Sequence, residues 1–276
     1  MAEIAILMTC FNRIKKTRDC LEGLRDQKFE LDIYLLDDGS TDGTAELLQR
    51  EFPYVRVCQG DGNLFWNRGM EKVWAYAESI KKYKYYIWLN DDVIVDDCCI
   101  SELLSCSEMN EGSAVIVGII QSPSGEVLYG GTDLKGALLR PNGDMQHVFH
   151  MNGNVVLVPD KVFSKLGKLD PFFHHDLGDV DYGLRARNNN IAVLTTRRFV
   201  GVGEKNNICR VRKNNVNIIR RFKVLYSPLG SPPSKNFYFR RKHNGYINAS
   251  IYYLFVHALN FLPDKLVAFF FGDRYV

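Results

Sequence analysis

The chain has 276 residues and a mass of 31.7 kDa, a size that suits one large globular domain or one domain with an appendage. Hydrophobic residues make up 46% and charged residues 24% of the chain, which excludes a disordered or low-complexity protein. The net charge of +3 conceals an asymmetry, because residues 205–263 contain eleven Lys or Arg and no Asp or Glu. The rest of the chain is therefore net acidic, and the basic segment suits an anionic partner.

The N-terminal residues and the cysteines predict a cytoplasmic protein. Met1 leads directly into the apolar residues 4–8 without the sections of a signal peptide, and no 18-residue stretch lacks polar side chains. The 7 cysteines are an odd number and include no CxxC pair. We therefore expect reduced thiols, neither a disulfide framework nor a zinc site.

Apolar runs and helical spacing alternate through the first hundred residues, which is the pattern of strands joined by crossover helices. The predicted strands there cover residues 4–8, 31–36, 54–58 and 85–89, and the predicted helices cover 13–27, 41–49 and 64–82. Later strands are predicted at 115–121, 127–129, 155–159 and 191–195, with helices from about residue 97 and at 180–188. The fold class is α/β, with a Rossmann-like mixed sheet flanked by helices. Prolines between residues 228 and 233 are expected to divide the basic tail into two helical pieces.

Polar clusters follow three of the predicted strands, at residues 9–13, 37–40 and 90–92. Because ligands of open parallel sheets lie beyond the carboxyl ends of the strands, we expect the three clusters to converge on one site. Residues 90–92 offer hard oxygen ligands to a divalent ion that also binds a diphosphate, although acidic residues there also suit a helix cap. Residues 37–42 likewise suit an ordinary turn between a strand and a helix.

A further acidic cluster places Asp179 and Asp181 at the start of a predicted helix. A carboxylate at this position can accept a proton from a substrate. The alternative is structural, with Asp179 capping the helix and Asp181 pairing with Arg185 one turn later. Taken alone, the cluster favours the structural interpretation.

Taken in order, these motifs resemble those of the family 2 glycosyltransferases, which have the GT-A fold, and the resemblance covers residues 4–204. Residues 36–44 read LDDGSTDGT, similar to the nucleotide-contacting turn of that family, and residues 89–92 read LNDD where its DxD metal motif belongs. Residues 8–13 look like the end of its opening strand, residues 62–69 like the start of a helix in its donor half, and residues 178–185 like its late ED-x-D-L-x-x-R signature. The type it resembles is a rhamnosyltransferase-like enzyme of bacterial surface glycans.

The resemblance implies inverting transfer of a sugar from a UDP- or dTDP-sugar to a hydroxyl of a glycan or lipid-linked acceptor. It implies Asp179 as the base, with Asp181 second, and Mn²⁺ or Mg²⁺ bound by Asp92 with support from Asp91. The positions expected to bind the donor are Thr9, Phe11, Asn12, Arg13, Asp37, Asp38, Asn63, Asn67, Arg68, Asn90 and Asp91. Asn152, Gly153 and His175 are expected on the acceptor side.

Two positions depart from the family pattern. Asn90 stands where the metal motif begins with Asp, which removes one negative charge from the site. No His follows the last predicted strand, and Glu204 is the substitute metal ligand expected there. The predicted domains are a GT-A catalytic domain at 1–204, with a donor half at 1–115 and an acceptor half at 116–204, and a basic helical C-terminal appendage at 205–276.

The appendage combines its cations with aromatic and aliphatic runs, which indicates peripheral binding at an anionic surface, the inner face of the cytoplasmic membrane. A helical segment packed on the catalytic domain, or a homodimer contact, is the alternative.

Two other functions compete with sugar transfer. A sugar nucleotidyltransferase needs a Gly-rich phosphate loop after its first strand, which residues 9–12 do not provide. Binding of nucleic acid through the tail leaves the acidic turns unexplained, so we expect no nucleic-acid partner.

Overall fold

A computed structural model describes residues 2–205 and 211–275 of the chain; Cys209 and Arg210 lie outside the described residues. The chain divides into two compact units, one made of Met1–Pro171 and Gly178–Lys205, the other of Phe172–Leu177 and Asn206–Val276. The cysteines among the described residues are free thiols. In the same residues, no helix combines the length and the apolar character needed to cross a bilayer.

The first unit alternates strands and helices through its first half. Its strands are β1 (Ile4–Cys10), β2 (Leu31–Asp37), β3 (Arg56–Gln59), β4 (Tyr85–Leu89), β5 (Ile94–Val95), β6 (Val115–Gln121), β7 (Val127–Tyr129), β8 (Gly131–Thr132), β9 (His150–Met151), β10 (Val155–Pro159) and β11 (Val193–Val202). Its helices are α1 (Ile14–Arg25), α2 (Thr44–Glu51), α3 (Phe65–Ile80), α4 (Cys99–Glu108), α5 (Asp160–Leu166) and α6 (Gly178–Asn188).

The main sheet of this unit is mixed, with the strand order β3-β2-β1-β4-β10-β6-β11-β5 and β7 paired to β6. Strands β3, β2, β1 and β4 run parallel, so their carboxyl ends lie at one edge, as predicted. Strand β10 lies antiparallel between β4 and β6. This insertion brings the segment just before β10 next to the end of β4, where residues 90–92 begin. A separate two-stranded sheet joins β8 and β9.

The sheet is buried on both faces, which explains why its strands are nearly continuous apolar runs. Along β1, Ile4, Ile6 and Met8 face one hydrophobic cluster, and Ala5 and Leu7 face the other. The second cluster is rich in aromatic side chains, including Trp74, Trp88 and Tyr182. The site described below is therefore built on a rigid scaffold, at the edge where the parallel strands end.

In its described residues, 172–177 and 211–275, the second unit contains the helices α7 (Ile218–Leu225), α8 (Pro233–Asn244), α9 (Tyr246–Phe261) and α10 (Asp264–Phe271), and a short 3₁₀ turn at Gly272–Tyr275. The prediction of two helical pieces was therefore wrong. The prolines near residue 230 separate α7 from α8, but the chain also breaks at Gly245, with φ of 86°, and at Pro263. Asp264 binds two buried cations, Arg212 (2.6 Å) and Arg221 (2.8 Å).

Candidate active site

The turns that follow β1 and β2 are hydrogen-bonded to each other. Asn12 has a left-handed φ of 51°, donates its N–H to Ser40 Oγ (2.9 Å) and accepts the N–H of Thr41 at Oδ1 (2.8 Å). Asp42 Oδ2 accepts the N–H of Ile14 (2.9 Å), the first residue of α1. Asn tolerates the left-handed region better than most residues, which suits it to this position. The turns after β1 and β2, which are both predicted to bind the donor, are thus joined by hydrogen bonds.

Asp38 is a buried carboxylate that closes the loop before α3. Its Oδ1 accepts the N–H of Gly62 (3.0 Å), and its Oδ2 accepts the N–H groups of Leu64 (3.0 Å) and Phe65 (2.9 Å). These bonds satisfy N–H groups at the start of α3 and hold Phe65 at a φ of 56°, which an aromatic residue rarely adopts. Asp37 is also buried and accepts one N–H inside its own turn (2.9 Å). Three of about four acceptor positions on Asp38 are filled, and one remains.

The acidic turn after β4 is held by a cation. Arg13 Nη1 lies 3.2 Å from Asp91 Oδ1 and 2.9 Å from Asp92 Oδ2, and Thr17 donates to Asp91 Oδ2 (3.2 Å). The pKa of Asp91 is raised to about 6. Burial is the main cause and the charge of Asp92 adds to it, while Arg13 and Thr17 act in the opposite direction. Negative charge is therefore concentrated where the chain can bind a cation.

The arrangement of these two carboxylates fits a divalent ion. One nitrogen of Arg13 reaches both side chains, which shows that a single cation can contact Asp91 and Asp92 together. A diphosphate would supply further oxygen ligands. Within residues 2–205 and 211–275 there is no preformed group of three metal-ligating side chains. Glu204, predicted as a third ligand, is 72% exposed and pairs with Lys16 (2.7 Å), so its place in the metal site stays a prediction.

Asn90 connects the acidic turn to two neighbouring segments. Its Oδ1 accepts the indole N–H of Trp66 in α3 (2.7 Å), and its Nδ2 donates to Asn154 Oδ1 just before β10 (2.6 Å). The first position of the NDD motif therefore bridges α3 and β10 through neutral hydrogen bonds. Asn154 was not among the predicted site residues, although it lies two positions after the predicted Asn152.

Asp179 lies in the first turn of α6. Its Oδ2 accepts the N–H of Gly153 (2.9 Å), and its Oδ1 accepts the N–H of Val180 (2.8 Å). A Cβ on Gly153 would lie 2.6 Å from the ring of Trp66 and 3.1 Å from Asp179 Cβ, so the three residues are closely packed. The predicted base is therefore adjacent to Trp66, the residue that holds Asn90. A helix N-terminus favours the negative charge of this carboxylate.

Asp181 has a structural position. Its side chain is completely buried, and its Oδ2 lies 2.9 Å from Arg185 Nε one turn later in α6. The same guanidinium donates to the carbonyls of Leu166 (2.6 Å) and Lys168 (2.8 Å). We correct the expectation that Asp181 is an alternative base, because a fully buried carboxylate paired with Arg cannot meet an acceptor hydroxyl.

Two predicted donor-binding residues of α3 hold the segment that leads toward α6. Asn67 is completely buried and donates to the carbonyl of Asp170 (2.8 Å), and Arg68 Nε donates to the carbonyl of Pro171 (3.0 Å). Burial of Asn67 makes it a positioning residue rather than a donor contact, which corrects that prediction. Asn63 forms a local turn in which its N–H donates to Asp61 Oδ1 (2.9 Å).

The remaining predicted residues lie in three places. Thr9, the penultimate residue of β1, lies against α3, since a Cβ on Gly69 would lie 2.9 Å from its methyl group. Phe11 is 49% exposed at the same edge of the sheet. Asn152 and Gly153 immediately precede Asn154 in the segment before β10. His175 belongs to the second unit, and its place on the acceptor side stays a prediction.

Hydrogen bonds, chain neighbours and one packing contact connect the acidic residues of this site. The path runs from Asp38 through the start of α3 to Trp66, and from Trp66 to Asn90 and the adjoining Asp91 and Asp92. Packing of Trp66 on Gly153 extends the path to Asp179. The arrangement combines buried acceptors, a cation-binding pair of carboxylates and a separate carboxylate at a helix start. Such a site can bind a nucleotide diphosphate through a cation and remove a proton next to it.

Comparisons with known proteins identify the family. Residues 5–166 match the sequence profile of glycosyl transferase family 2. A segment of 102 residues is 31% identical to the poly-β-1,6-N-acetyl-D-glucosamine synthase of Staphylococcus epidermidis; it covers 34% of this chain and 23% of the synthase. The chain thus matches about a quarter of that relative's length.

Solved structures show the same fold at low sequence identity. The mannosyltransferase PcManGT from Pyrobaculum calidifontis, in complex with GDP-Man and Mn²⁺, superposes with a TM-score of 0.55 at 13% identity, over 93% of this chain and 75% of that chain. TarS 1–349 from S. aureus, in complex with UDP, gives a TM-score of 0.56 at 13% identity, over 88% and 74% of the two chains. These likenesses confirm the predicted α/β GT-A fold. Since the profile match spans more than half of the residues, the chain belongs to glycosyl transferase family 2.

Proposed function

We propose that this glycosyltransferase moves a sugar from a nucleotide-diphosphate donor, a UDP- or dTDP-sugar, to a hydroxyl of a glycan or lipid-linked acceptor, with inversion at the anomeric carbon. One observation carries the proposal. Asp179 is held by the N–H of Gly153 against Trp66, and Trp66 is hydrogen-bonded to Asn90 of the acidic turn. A base and a diphosphate-binding turn thus adjoin each other, as a single displacement requires.

On the donor side, the two linked turns after β1 and β2 would bind the nucleotide. Asp38 has an acceptor position left for a base N–H, and its other bonds keep the loop before α3 in place. Arg13 is 45% exposed on its side chain and would place its guanidinium against the diphosphate. Asp91 and Asp92 would hold Mn²⁺ or Mg²⁺, which supplies charge neutralisation for the leaving diphosphate when bound.

The reaction would proceed in one step. The acceptor oxygen forms a bond to the anomeric carbon, the bond from that carbon to the diphosphate oxygen breaks, and the hydroxyl proton passes to Asp179. The nucleoside diphosphate leaves with the electron pair of the broken bond. Two N–H groups bind the carboxylate of Asp179, the form that accepts a proton. Asn152 and Gly153 would line the acceptor side, and no covalent intermediate is needed.

The comparisons support a choice of donors to test first. The Staphylococcus epidermidis relative is named for an N-acetylglucosamine polymer, and the TarS structure contains UDP. UDP-N-acetylglucosamine is therefore our first candidate, followed by dTDP-rhamnose from the resemblance of the sequence motifs. Synthesis of a bacterial surface polysaccharide is the pathway that we propose.

A thermal-shift panel tests this proposal directly. UDP, dTDP, GDP and CMP are each added with and without Mn²⁺ or Mg²⁺, because a ligand at 100 times its dissociation constant adds about 2.7 kcal/mol of stability. We expect UDP or dTDP to raise the melting temperature, and more so with metal. Release of nucleotide from the matching sugar donor then measures turnover. Absence of both responses for all four nucleotides contradicts the proposal.

We also propose that the second unit binds the anionic inner face of the cytoplasmic membrane. In α9, an exposed stripe with helical spacing consists of Ile247, Ile251, Leu254, Ala258 and Phe261. Residues 211–263 contain nine Lys or Arg and no Asp or Glu. Arg212 and Arg221 are buried against Asp264, and the other seven cations favour an anionic surface over a second protein. Arg240 of α8 lies 3.6 Å from the ring centre of Tyr252, so positive charge adjoins the stripe.

Sedimentation with vesicles of phosphatidylglycerol and phosphatidylcholine tests membrane binding. We expect binding to anionic vesicles that weakens in high salt, no binding to phosphatidylcholine alone, and loss of binding in the double variant Ile251→Glu, Leu254→Glu. Light scattering of the same samples gives the oligomeric state. A homodimer that this variant dissociates, without vesicle binding by the wild type, would show that the stripe is a subunit contact.

A further inference from the structure

A chain of side-chain amides runs from α3 to the segment that holds Asp179. Trp66 Nε1 donates to Asn90 Oδ1 (2.7 Å), Asn90 Nδ2 donates to Asn154 Oδ1 (2.6 Å), and Asn154 Nδ2 donates to Asn152 Oδ1. Each of the three amides accepts a bond at its oxygen, and Asn90 and Asn154 also donate through their nitrogens. We name these four residues the amide relay.

The direction of the amide relay is fixed at both ends. An indole N–H can only donate, so Trp66 requires the oxygen of Asn90 on its side. At the other end, the backbone N–H of Asn154 donates to Asn152 Oδ1 (3.3 Å), and a backbone N–H also can only donate. The two ends demand the same orientation of every amide between them, so the relay has one satisfied arrangement.

The outcome is a hydrogen-bond donor held next to the base. Asn152 is partly exposed, and within the described residues its Nδ2 makes no hydrogen bond, while its oxygen is held by Asn154. The next residue, Gly153, donates its N–H to Asp179 Oδ2 (2.9 Å). The amide nitrogen of Asn152 is therefore free to donate to a substrate beside Asp179.

We propose that Trp66, Asn90 and Asn154 are positioning residues that orient the Asn152 amide to donate to an oxygen of the acceptor sugar next to its reacting hydroxyl. This proposal rests on the proposed function, because it needs Asp179 as the base. The chemical class of ligand is a sugar with a hydroxyl or ring oxygen adjacent to the attacking oxygen. Asn152 touches the substrate, and the other three residues act through it.

The relay also explains why the metal motif begins with Asn. Position 90 must accept from Trp66 and donate to Asn154, and an ionised Asp has no hydrogen to donate. With Asp at position 90, Asn154 would turn its nitrogen toward it and direct its oxygen at the oxygen of Asn152. Asn152 could not turn in response without losing its bond from the backbone of Asn154. An amide at position 90 is thus required by its neighbours.

The experiment compares transfer with hydrolysis in the full-length enzyme. Nucleotide release from the sugar donor is measured with water alone and with each member of a panel of methyl hexosides and methyl N-acetylhexosaminides. In Asn152→Asp, which keeps the shape but loses the donor, and in Trp66→Phe, we expect the ratio of transfer to hydrolysis to fall roughly tenfold. The KM for the glycoside should rise while the KM for the donor stays within about twofold.

Trp88→Phe is the matched control for Trp66→Phe. Trp88 is buried in the same aromatic cluster, 6.3 Å from Trp66 between ring centres, and its indole N–H has no hydrogen-bond partner in the described part of the chain. This variant should retain the wild-type ratio of transfer to hydrolysis. An equal loss in both Trp variants would show that aromatic packing, and not the relay, governs acceptor binding.

A double-mutant cycle separates the relay from two independent effects. Trp66 and Asn152 share no hydrogen bond, so unlinked roles would make their effects on the ratio multiply. The relay predicts that Trp66→Phe adds little once Asn152→Asp is present. The proposal is overturned if the effects of the two substitutions on the ratio multiply. It is also overturned if the wild type hydrolyses its donor but no glycoside of the panel accelerates nucleotide release. Failure of the wild type to release nucleotide from any donor would instead refute the proposed function.

Discussion

Replacing Gly153 with alanine places a methyl carbon between Trp66 and Asp179, the proposed base. The new Cβ would lie 2.6 Å from Trp66 Cη2 and 3.1 Å from Asp179 Cβ. Trp66 cannot withdraw freely, because its indole N–H binds Asn90 (2.7 Å). The backbone φ of Gly153 is not in the left-handed region, so the effect of the methyl group is purely steric.

The size of the effect follows from this crowding. The indole or Asp179 must move by roughly 1 Å to restore ordinary contact, and overpacking of this kind costs about 1 to 3 kcal/mol of folding stability. A shift of about 1 Å in a base can lower the rate on the order of 100-fold. We therefore expect Gly153→Ala to fold with reduced stability and to lose most of its turnover.

Urea denaturation and nucleotide release measure the two effects on the same samples. Gly23→Ala is the control, because a Cβ there would lie 3.4 Å from Val95 Cγ2, an ordinary contact, in the interior of α1. This control should gain up to about 1 kcal/mol and keep its activity. Wild-type turnover and stability in Gly153→Ala would refute the close packing of Trp66, Gly153 and Asp179.

Three further predictions address other parts of the molecule. Asp181→Asn should lose about 3 kcal/mol of folding stability in urea denaturation, because it leaves the partly buried Arg185 without its carboxylate. The control Asp19→Asn, at an exposed position, should change stability by less than about 0.5 kcal/mol. Asp92→Asn should abolish the part of the nucleotide thermal shift that depends on Mn²⁺; an undiminished metal effect would place the ion elsewhere. Burial raises the pKa of Cys106 to about 11, so only about 0.1% of this thiol is ionised at pH 8. Iodoacetamide should therefore leave Cys106 unlabelled in native protein and label it in urea, which peptide mass spectrometry measures.

The sequence predicted most of the central sheet because its strands carry a strong local signal. Strands β4, β6, β7 and β10 have the bounds predicted from their apolar runs. Short elements gave no such signal. Strand β5 has two residues, Ile94–Val95, and pairs only through β11, so its existence depends on tertiary packing. Helix α5 follows β10 directly and was also not predicted.

The meeting of the polar clusters at one edge of the sheet was predictable, but the surroundings of individual residues were less so. Polar residues at the ends of parallel strands necessarily share one edge of the sheet, which allowed Asp38 and Asp92 to be grouped from the sequence. The burial of Asp181 and Asn67 depends on how α6 and α3 pack, which composition does not reveal. The bond between Asn90 and Asn154 joins residues 64 positions apart and requires β10 to insert beside β4.

The unexpected aspect of the site is the use of neutral amides where the family pattern has a charge. Asn90 forms part of a hydrogen-bonded bridge, and Asp91 and Asp92, which both pair with Arg13, are the carboxylates proposed to bind the metal. We infer that a hydrogen-bonded connection between the segments proposed to bind donor and acceptor replaces one charge of the metal motif. The cost in metal affinity can be read from the Mn²⁺ dependence of nucleotide binding.

The most direct measurement of the central assignment is a comparison of donor binding and turnover in Asp179→Asn. We expect nucleotide and metal to raise the melting temperature of the variant as they do for the wild type. Nucleotide release from the sugar donor should fall by about 10²- to 10⁴-fold, the usual contribution of a general base. A variant that folds, binds the nucleotide and turns over at the wild-type rate would show that the proton goes elsewhere.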